Sequence, residues 1–406
     1  MTAGKAHWLT IVGIGEDGLA GLGADARAAI ETAEVLIGGD RHLEKVSGHA
    51  AEKIGWGKDF AVGVEAIRGH EGKRVVVLAS GDPMNFGAGS ILARKFGIEA
   101  VTIIPAPGAF SLAAARMGWS IPDAECLTVH GRPLEVVNLY LRPGAKLLLL
   151  TWDGTTPAKL AVLLTAKGFG ESRLTVLEHL GGDNESRIDG TAAAWTQQET
   201  AALNTVAVEC VAGPDAVFWS RAPGLPEAAF QHDNMVTKRE VRAATIAALA
   251  PLAGETLWDV GAGSGTVAIE WLRLEPQAKA VAIERDAKRL SYIRANAADL
   301  GVPGLQVVEG HAPAALQGIE GAPDAIFVGG GVSNADVLDA CWQSLKRDGR
   351  MVANAVTLEA QHALIHFRDT HGGEMTRLSV AREDKVGRLS GLRPMMEVWQ
   401  LRTEKP

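Results

Sequence analysis

A long alternation of short apolar runs with helical patterns restricts the fold of this chain more than any other feature. HWLTIVGIG, VVVLASG, AVTIIPA, KLLLLTW and RLTVLEHL are followed by TLWDVGAG, AVAIERD, LQVVEG, AIFVGGG and RMVANAV. A strand buried on both faces reads as a continuous apolar run, and helices between such strands favour parallel pairing. The pattern therefore predicts α/β architecture with largely parallel sheets. Periodicity lapses over FWSRAPGLPEAAFQHDN, residues 218–234, which carries Pro223 and Pro226. Prolines so placed interrupt regular elements, so a boundary is expected near residue 230, with domains over 1–225 and 230–406. PAPGAFSLAAARMGWSIP, residues 105–122, passes from strand to helix to a proline stop. That break would divide the first domain into two lobes. The two halves do not resemble each other, so duplication does not explain why each carries a glycine-rich loop.

Composition narrows the function. With 406 residues, 47% hydrophobic and 22% charged, the chain can bury an ample core without staples. Cys126, Cys210 and Cys341 are odd in number, far apart and free of CxxC or Cys/His ligand spacing. Neither a disulfide framework nor a metal site is expected; the three read as small buried hydrophobes. A net charge of −8 disfavours nucleic acid as a partner and would repel an anionic small molecule unless specific arginines received it. The opening MTAGKAHWLTIVGIG has no signal-peptide pattern and no apolar run reaches the length of a membrane span, so the cytoplasm is the expected compartment and no membrane is expected as a partner.

Leu257–Val260 reads as a buried strand, Gly261-Ala262-Gly263-Ser264-Gly265 as a turn, and TVAIEWLRL as the following helix. Glycines let a backbone approach a ligand closely, and a helix N-terminus turns unpaired N–H groups toward it. Glu284 stands 23 residues after Gly261 at the end of the next apolar run, where a carboxylate can accept hydrogen bonds from ribose hydroxyls. The loop departs from the dinucleotide spacing G-x-G-x-x-G, because Thr266 stands where the third glycine would be. The ordered series DVGAGSG, AIER, ANAADLGV, VVEGHAP, DAIFVGGG and GRMVANAV resembles the Rossmann-like S-adenosylmethionine (SAM) methyltransferases. Upstream, Thr237-Lys238-Arg239-Glu240 has capping-box spacing ahead of a helix whose Val241, Thr245 and Leu249 share one face. TKREVRA, the glycine loop and AREDKVGRL (residues 381–389) together are similar to the decarboxylating precorrin methyltransferase family of vitamin B12 biosynthesis. That resemblance implies SAM contacts from Thr237, Gly261, Ala262, Gly263, Ser264, Gly265, Glu284 and the Gly310-His311-Ala312 corner. His311 stands where relatives usually carry Asp, so Ala312 is expected to act there through its backbone.

LASGDPMNFG, residues 78–87, is by itself an ordinary turn, since glycine, aspartate and proline all form turns. It belongs, however, to a wider series: IVGIGEDG, PAPGAFSLAAARMG, TVHGR, LTWDGTTPAKLAVLL and LEHLGGDNESRIDGT. Over residues 7–220 this series resembles the tetrapyrrole methylase family, whose two α/β lobes hold SAM without a Rossmann glycine loop. The resemblance implies that Gly81, Asp82, Pro83 and Met84 line the methionine end of SAM, with backbone contacts from Gly108 and Ala109. Arg132 could grip a substrate carboxylate through its planar guanidinium.

The expected fold is thus an N-terminal two-lobed tetrapyrrole methylase fold followed by a C-terminal Rossmann-like SAM methyltransferase fold. Their fusion resembles the bifunctional, decarboxylating C5,15 precorrin methyltransferases. It implies C5 methylation by the first domain, C15 methylation with loss of the ring C acetate carboxyl by the second, and two SAM sites per chain. Methyl transfer to an electron-rich carbon needs positioning and exclusion of water, not an activated nucleophile, and a conjugated macrocycle can serve as electron sink for decarboxylation. No catalytic residue is assigned. Arg239, Arg242, Arg388 and Arg393 are candidates to hold substrate carboxylates, and His232 or His311 could move protons near pH 7. A homo-oligomer is expected from the resemblance. Two other readings keep both folds: a C-terminal domain acting on RNA or protein, or one domain serving as a non-catalytic SAM-binding scaffold. The acidic balance counts against RNA.

Overall fold

Leu9–Ile14, the first apolar run, lies between Val75–Ser80 and Val101–Ile104 and pairs parallel to both. A computed structural model describes residues 7–57 and 60–406. With Val35–Gly38 and Glu52–Gly55, these strands form an all-parallel five-stranded sheet in the order 3-2-4-1-5, counted along the chain. Successive residues of a strand point to opposite faces. Accordingly Ile11, Val35, Ile37, Val75 and Val77 fill one core cluster, whereas Val12, Ile14, Leu36, Val76 and Leu78 fill another.

The second lobe departs from the expected parallel arrangement. Glu125–Thr128, Lys146–Leu150, Arg173–Glu178, Ser186–Thr191 and Asn204–Glu209 form a sheet in the order 1-2-5-3-4, in which only the first pair is parallel. Residues 179–185 are too few for a helical crossover, so the chain must return antiparallel. The helix Ala109–Met117, N-capped by Gly108, packs Phe110, Ala113 and Ala114 against this sheet.

Seven later strands, Thr256–Val260, Lys279–Glu284, Gln306–Glu309, Ala325–Val328, Arg350–Ala355, Glu374–Leu378 and Val398–Glu404, form one sheet. Its order is 3-2-1-4-5-7-6, parallel except for the last strand, which runs antiparallel to both neighbours. The order reverses beside Thr256–Val260, the position at which open α/β sheets leave a crevice at their carboxyl ends. The helix Thr266–Leu274 is buried along almost its whole length, with Trp271 fully enclosed. A separate hairpin, Ala381–Val386 with Leu389–Pro394, stands outside the sheet.

The expected capping box does not form. Lys238 occupies the N-cap of the helix Arg239–Leu249 and makes no side-chain cap. Instead the Glu227 carboxylate accepts the Arg239 N–H at 3.0 Å, while Glu240 is drawn away to Arg382 at 2.5 Å. A long-range ion pair has displaced a local side-chain to backbone hydrogen bond. By its contacts the chain divides into two units, one running to Arg132 and from Arg142 to Val217, the other comprising Pro133–Leu141 and Phe218–Pro406. No described helix is long and apolar enough to cross a membrane.

Candidate functional site

In the second unit, three glycines of the corner after Thr256–Val260 are left-handed: Gly261 at φ +71°, Gly263 at +59° and Gly265 at +77°. A Cβ on Gly261 would lie 2.7 Å from the Cα of Gly330. Side chains are thus excluded where two loops, from adjacent strands, meet backbone to backbone. A cavity of about 850 Å³ opens above them. Thr237, Gly261, Ala262, Gly263, Ser264, Glu284, Gly310, His311 and Ala312 all line it, so the structure brings these sequence candidates together. Gly265 does not line it; it packs beneath, with Ile293 3.0 Å from where its Cβ would be.

Glu284 is committed to the backbone. One carboxylate oxygen accepts the Gly263 N–H at 2.8 Å, and the other accepts those of Arg285 and Asp286 at 2.9 and 3.0 Å. A carboxylate has about four acceptor positions, so roughly one remains for a ligand hydroxyl, fewer than the sequence suggested. Ser264 Oγ is buried with no partner among the described residues and belongs to a residue lining the cavity. A buried hydroxyl without a partner is costly, and a polar ligand group would satisfy it. The remaining Glu284 acceptor and the Ser264 hydroxyl fit a ligand that carries a ribose hydroxyl and a further polar group, as SAM does. Below the corner, Asp259 is 1% exposed. Its Oδ2 accepts the Ala268 N–H at 3.0 Å and its Oδ1 has no partner among the described residues. Burial pushes this carboxyl up to about 7; the Ala268 hydrogen bond opposes the shift and the Glu284 charge adds to it.

The four arginines of this unit proposed for substrate carboxylates do not line the cavity. Arg242 is corrected outright: it is fully buried, its Nε lies 2.6 Å from Glu270, and it also donates to the carbonyls of Thr237 and Leu225. Its guanidinium is spent holding the chain segment that leads to Thr237. Arg239 is exposed beside Glu240, Arg393 is paired with Asp384 at 2.7 Å on the outer hairpin, and Arg388 lies exposed in that hairpin's turn. The cations that do line the cavity are Lys238, Arg285 and Arg289, the last held by Asp233 at 2.9 Å. His311 lines the cavity; His232 does not, its ring accepting the Asn234 N–H at 3.0 Å. Asn354 also lines it and was missed, although an asparagine within the apolar run RMVANAV is a visible anomaly.

The first unit has a different corner. Gly81 is left-handed at φ +52°, and a Cβ there would lie 2.9 Å from the Cα of Gly108. A Cβ on Gly13 would fall 1.9 Å from the Gly81 carbonyl oxygen. Gly81 donates to Ile14 O and accepts from Ala106 N, at 3.1 and 3.2 Å. Three chain segments are therefore locked together at Gly13, Gly81 and Gly108. Asp82 Oδ1 accepts the Met84 N–H at 2.9 Å, Pro83 is buried against Gly87 and Gly89, and Met84 is exposed. A cavity of about 300 Å³ lies nearby on Gly13, Gly21–Ala26 and Ile104–Pro107; none of Gly81–Met84, Gly108 or Ala109 lines it.

Aromatic side chains that the sequence reading passed over stand exposed on this unit. Phe86 is 54% exposed and left-handed at φ +55°, with the Arg132 guanidinium 5.7 Å from its ring centroid. Trp152 is 58% exposed and stacked on His130 at 5.5 Å. Behind Gly81, His42 bonds to Ser80 Oγ at 2.9 Å. Burial, reinforced by Arg41 and Lys45, drives the His42 pKa down to about 4.

Two family models match the chain: "Tetrapyrrole (Corrin/Porphyrin) Methylases" over residues 8–196 and "Precorrin methyltransferase domain" over residues 228–405. A Sinorhizobium sp protein named precorrin-6Y C(5,15)-methyltransferase (decarboxylating) is 47% identical over 394 residues, covering 97% of this chain and 95% of that protein. Two relatives match less than half of the chain. The cobalt-precorrin-7 C(5)-methyltransferase of Salmonella typhimurium is 34% identical, over 44% of this chain and 87% of its own length. The probable cobalt-precorrin-6B C(15)-methyltransferase (decarboxylating) of Saccharolobus solfataricus is 30% identical, over 41% of this chain and 88% of its own length.

Proposed function

The chain belongs to the precorrin-6Y C5,15-methyltransferase (decarboxylating) family, SAM-using enzymes of cobalamin biosynthesis that act on a tetrapyrrole, and we propose that its two units divide that work. The first unit methylates C5. The second methylates C15 and removes the ring C acetate carboxyl, giving precorrin-8X. The observation that carries this reading is the presence of two glycine corners of unlike construction, one in each unit. That shorter relatives bear the C(5) and C(15) activities separately in their names supports it.

Two SAM sites follow. In the second unit Thr237, Gly261–Ser264, Glu284 and Ala312 hold the cofactor, with Gly265 shaping the corner from below. In the first, Gly81–Met84 with Gly108 and Ala109 hold it, and Arg132 receives a substrate carboxylate. SAM supplies an electrophilic methyl group. The residues position it: Glu284 takes a ribose hydroxyl, Ser264 a polar terminus, and the apolar wall of Val356, Val398 and Met395 excludes water from the acceptor. The exposed Val386, Leu389, Leu392 and Met396 around the hairpin support homo-oligomerisation through that surface.

Full-length Gly81→Val and Gly261→Val variants, each given precorrin-6Y and labelled SAM, test the division. The first should lose C5 methylation and the second C15 methylation with decarboxylation. Loss of both activities from a folded single variant, or of the opposite one, would overturn it.

A further inference from the structure

Asn354 lines the cavity of the second unit through a hydrogen-bond network that leaves its amide only one orientation. Thr245 is fully buried in the helix Arg239–Leu249 and donates its hydroxyl to Val241 O at 2.9 Å. Having one proton to give, it can only accept from other neighbours. Asn354 Nδ2 and Gln400 Nε2 both donate to it at 3.0 Å, and Gln400 Nε2 also donates to Asn354 Oδ1 at 2.9 Å. Reversing the Asn354 amide would set its carbonyl against the Thr245 oxygen and its amino group against that of Gln400. The second Asn354 N–H is therefore a fixed donor with no use within the network.

Its surroundings are suited to one ligand group. Gly261–Ser264, Glu284 and Ala312 follow strands on one side of the sheet, and Thr237 precedes the helix that carries Thr245, whereas Asn354 lies next to the end of Arg350–Ala355 on the other side, beside Val356 and Val398. Arg285 and Arg289 follow Lys279–Glu284, three strands away, which at ordinary spacing is about 14 Å. Lys238 lies about two helical turns from Thr245 along the helix. An oriented neutral donor on an apolar wall can hold a carboxylate without neutralising its charge. This is the condition under which a carboxylate is readily lost, since a cation would stabilise the ground state that must be left.

We propose that Asn354 receives the departing acetate carboxylate of the tetrapyrrole and orients it for decarboxylation, with Gln400 and Thr245 as positioning residues. This rests on the assignment of decarboxylation to the second unit. The bond between the acetate methylene and the carboxylate carbon breaks, and its electron pair passes into the conjugated macrocycle. Carbon dioxide leaves, and the methylene carbon takes a proton derived from water to become a methyl group.

The full-length enzyme with precorrin-6Y and SAM tests this, by comparing the fraction of C15-methylated product that has lost carbon dioxide in the wild type, Asn354→Asp and Asn354→Ser. Asp removes the donor and adds repulsion, so decarboxylation per methyl transferred should fall at least about tenfold; Ser keeps a shorter donor and should fall less. Methylated, undecarboxylated product should accumulate in both. An unchanged fraction in either variant that still transfers methyl groups would overturn the role of Asn354 alone. A wild-type chain that methylates C15 without decarboxylating would overturn the assignment beneath it as well. If Asn354→Asp fails to fold, Gln400→Met, which frees the amide to turn, must also lower the fraction, and an unchanged value there would refute the proposal.

Discussion

The two glycine corners require glycine for the same reason and use it differently. At Gly261 the obstructing neighbour is Gly330, and at Gly81 it is Gly108, so each corner depends on close backbone approach. In the second unit the corner runs straight into the helix Thr266–Leu274 beneath a cavity of about 850 Å³. In the first, the helix N-terminus that meets Gly81 is that of Ala109–Met117, brought from elsewhere in the chain, and the unit bears the exposed rings of Phe86 and Trp152. Backbone proximity is thus the shared requirement, and the source of the helix end is interchangeable.

The contrast can be broken most forcefully through its ion pairs. Arg242 and Glu270 are buried together, 0% and 2% exposed, and tie down the segment that carries Thr237. Arg242→Ala should destabilise the second unit by about 3–5 kcal/mol, because it strands a buried carboxylate. Arg116→Ala, which removes a surface pair with Glu185 in the first unit, should leave unfolding near wild type. Thermal unfolding of the full chain checks both.

Gly81→Val and Gly261→Val come next. Each adds a clash to a left-handed residue and should reduce its own methyl transfer by about 100-fold or more, leaving the other. Trp152→Ala tests what the exposed rings of the first unit add to its corner. If the exposed rings of the first unit meet the flat acceptor, KM for precorrin-6Y in C5 methylation should rise about tenfold while C15 methylation holds. Equal change in both would remove Trp152 from the acceptor site.

The two units also differ in the sign of their pH dependence. The Asp259 carboxyl is raised to about 7 in the folded second unit, so the folded state holds the extra proton. Stability there should fall as pH rises from about 4 to 7, and Asp259→Asn should remove that slope. His42 is lowered to about 4 in the first unit, so the unfolded state holds the extra proton. Its contribution is complete above the ordinary histidine pKa near 6.5 and is lost as pH falls toward 4, a slope that His42→Gln should remove. Each slope is at most about 1.4 kcal/mol per pH unit, measurable by unfolding across that range.

Much of this was legible because glycine spacing, apolar runs and period-two burial are local. DVGAGSG and LASGDP announce close approach, and Thr237, Glu284 and Ala312 do converge on one cavity with Gly261–Ser264. What was not legible depends on partners distant in sequence. Arg242 looked like a free cation because Glu270 lies two elements away, and the box at Thr237 failed because Glu227 and Arg382 outcompeted it. The antiparallel second lobe turned on Asn204–Glu209 inserting between earlier strands. Asn354 was visible as an oddity, but its meaning required Thr245 and Gln400.

Titration calorimetry of the full chain with S-adenosylhomocysteine tests the central claim most directly. Two molecules should bind per chain, falling to one in either Gly81→Val or Gly261→Val. A single site in the wild type, abolished by only one of those substitutions, would contradict it.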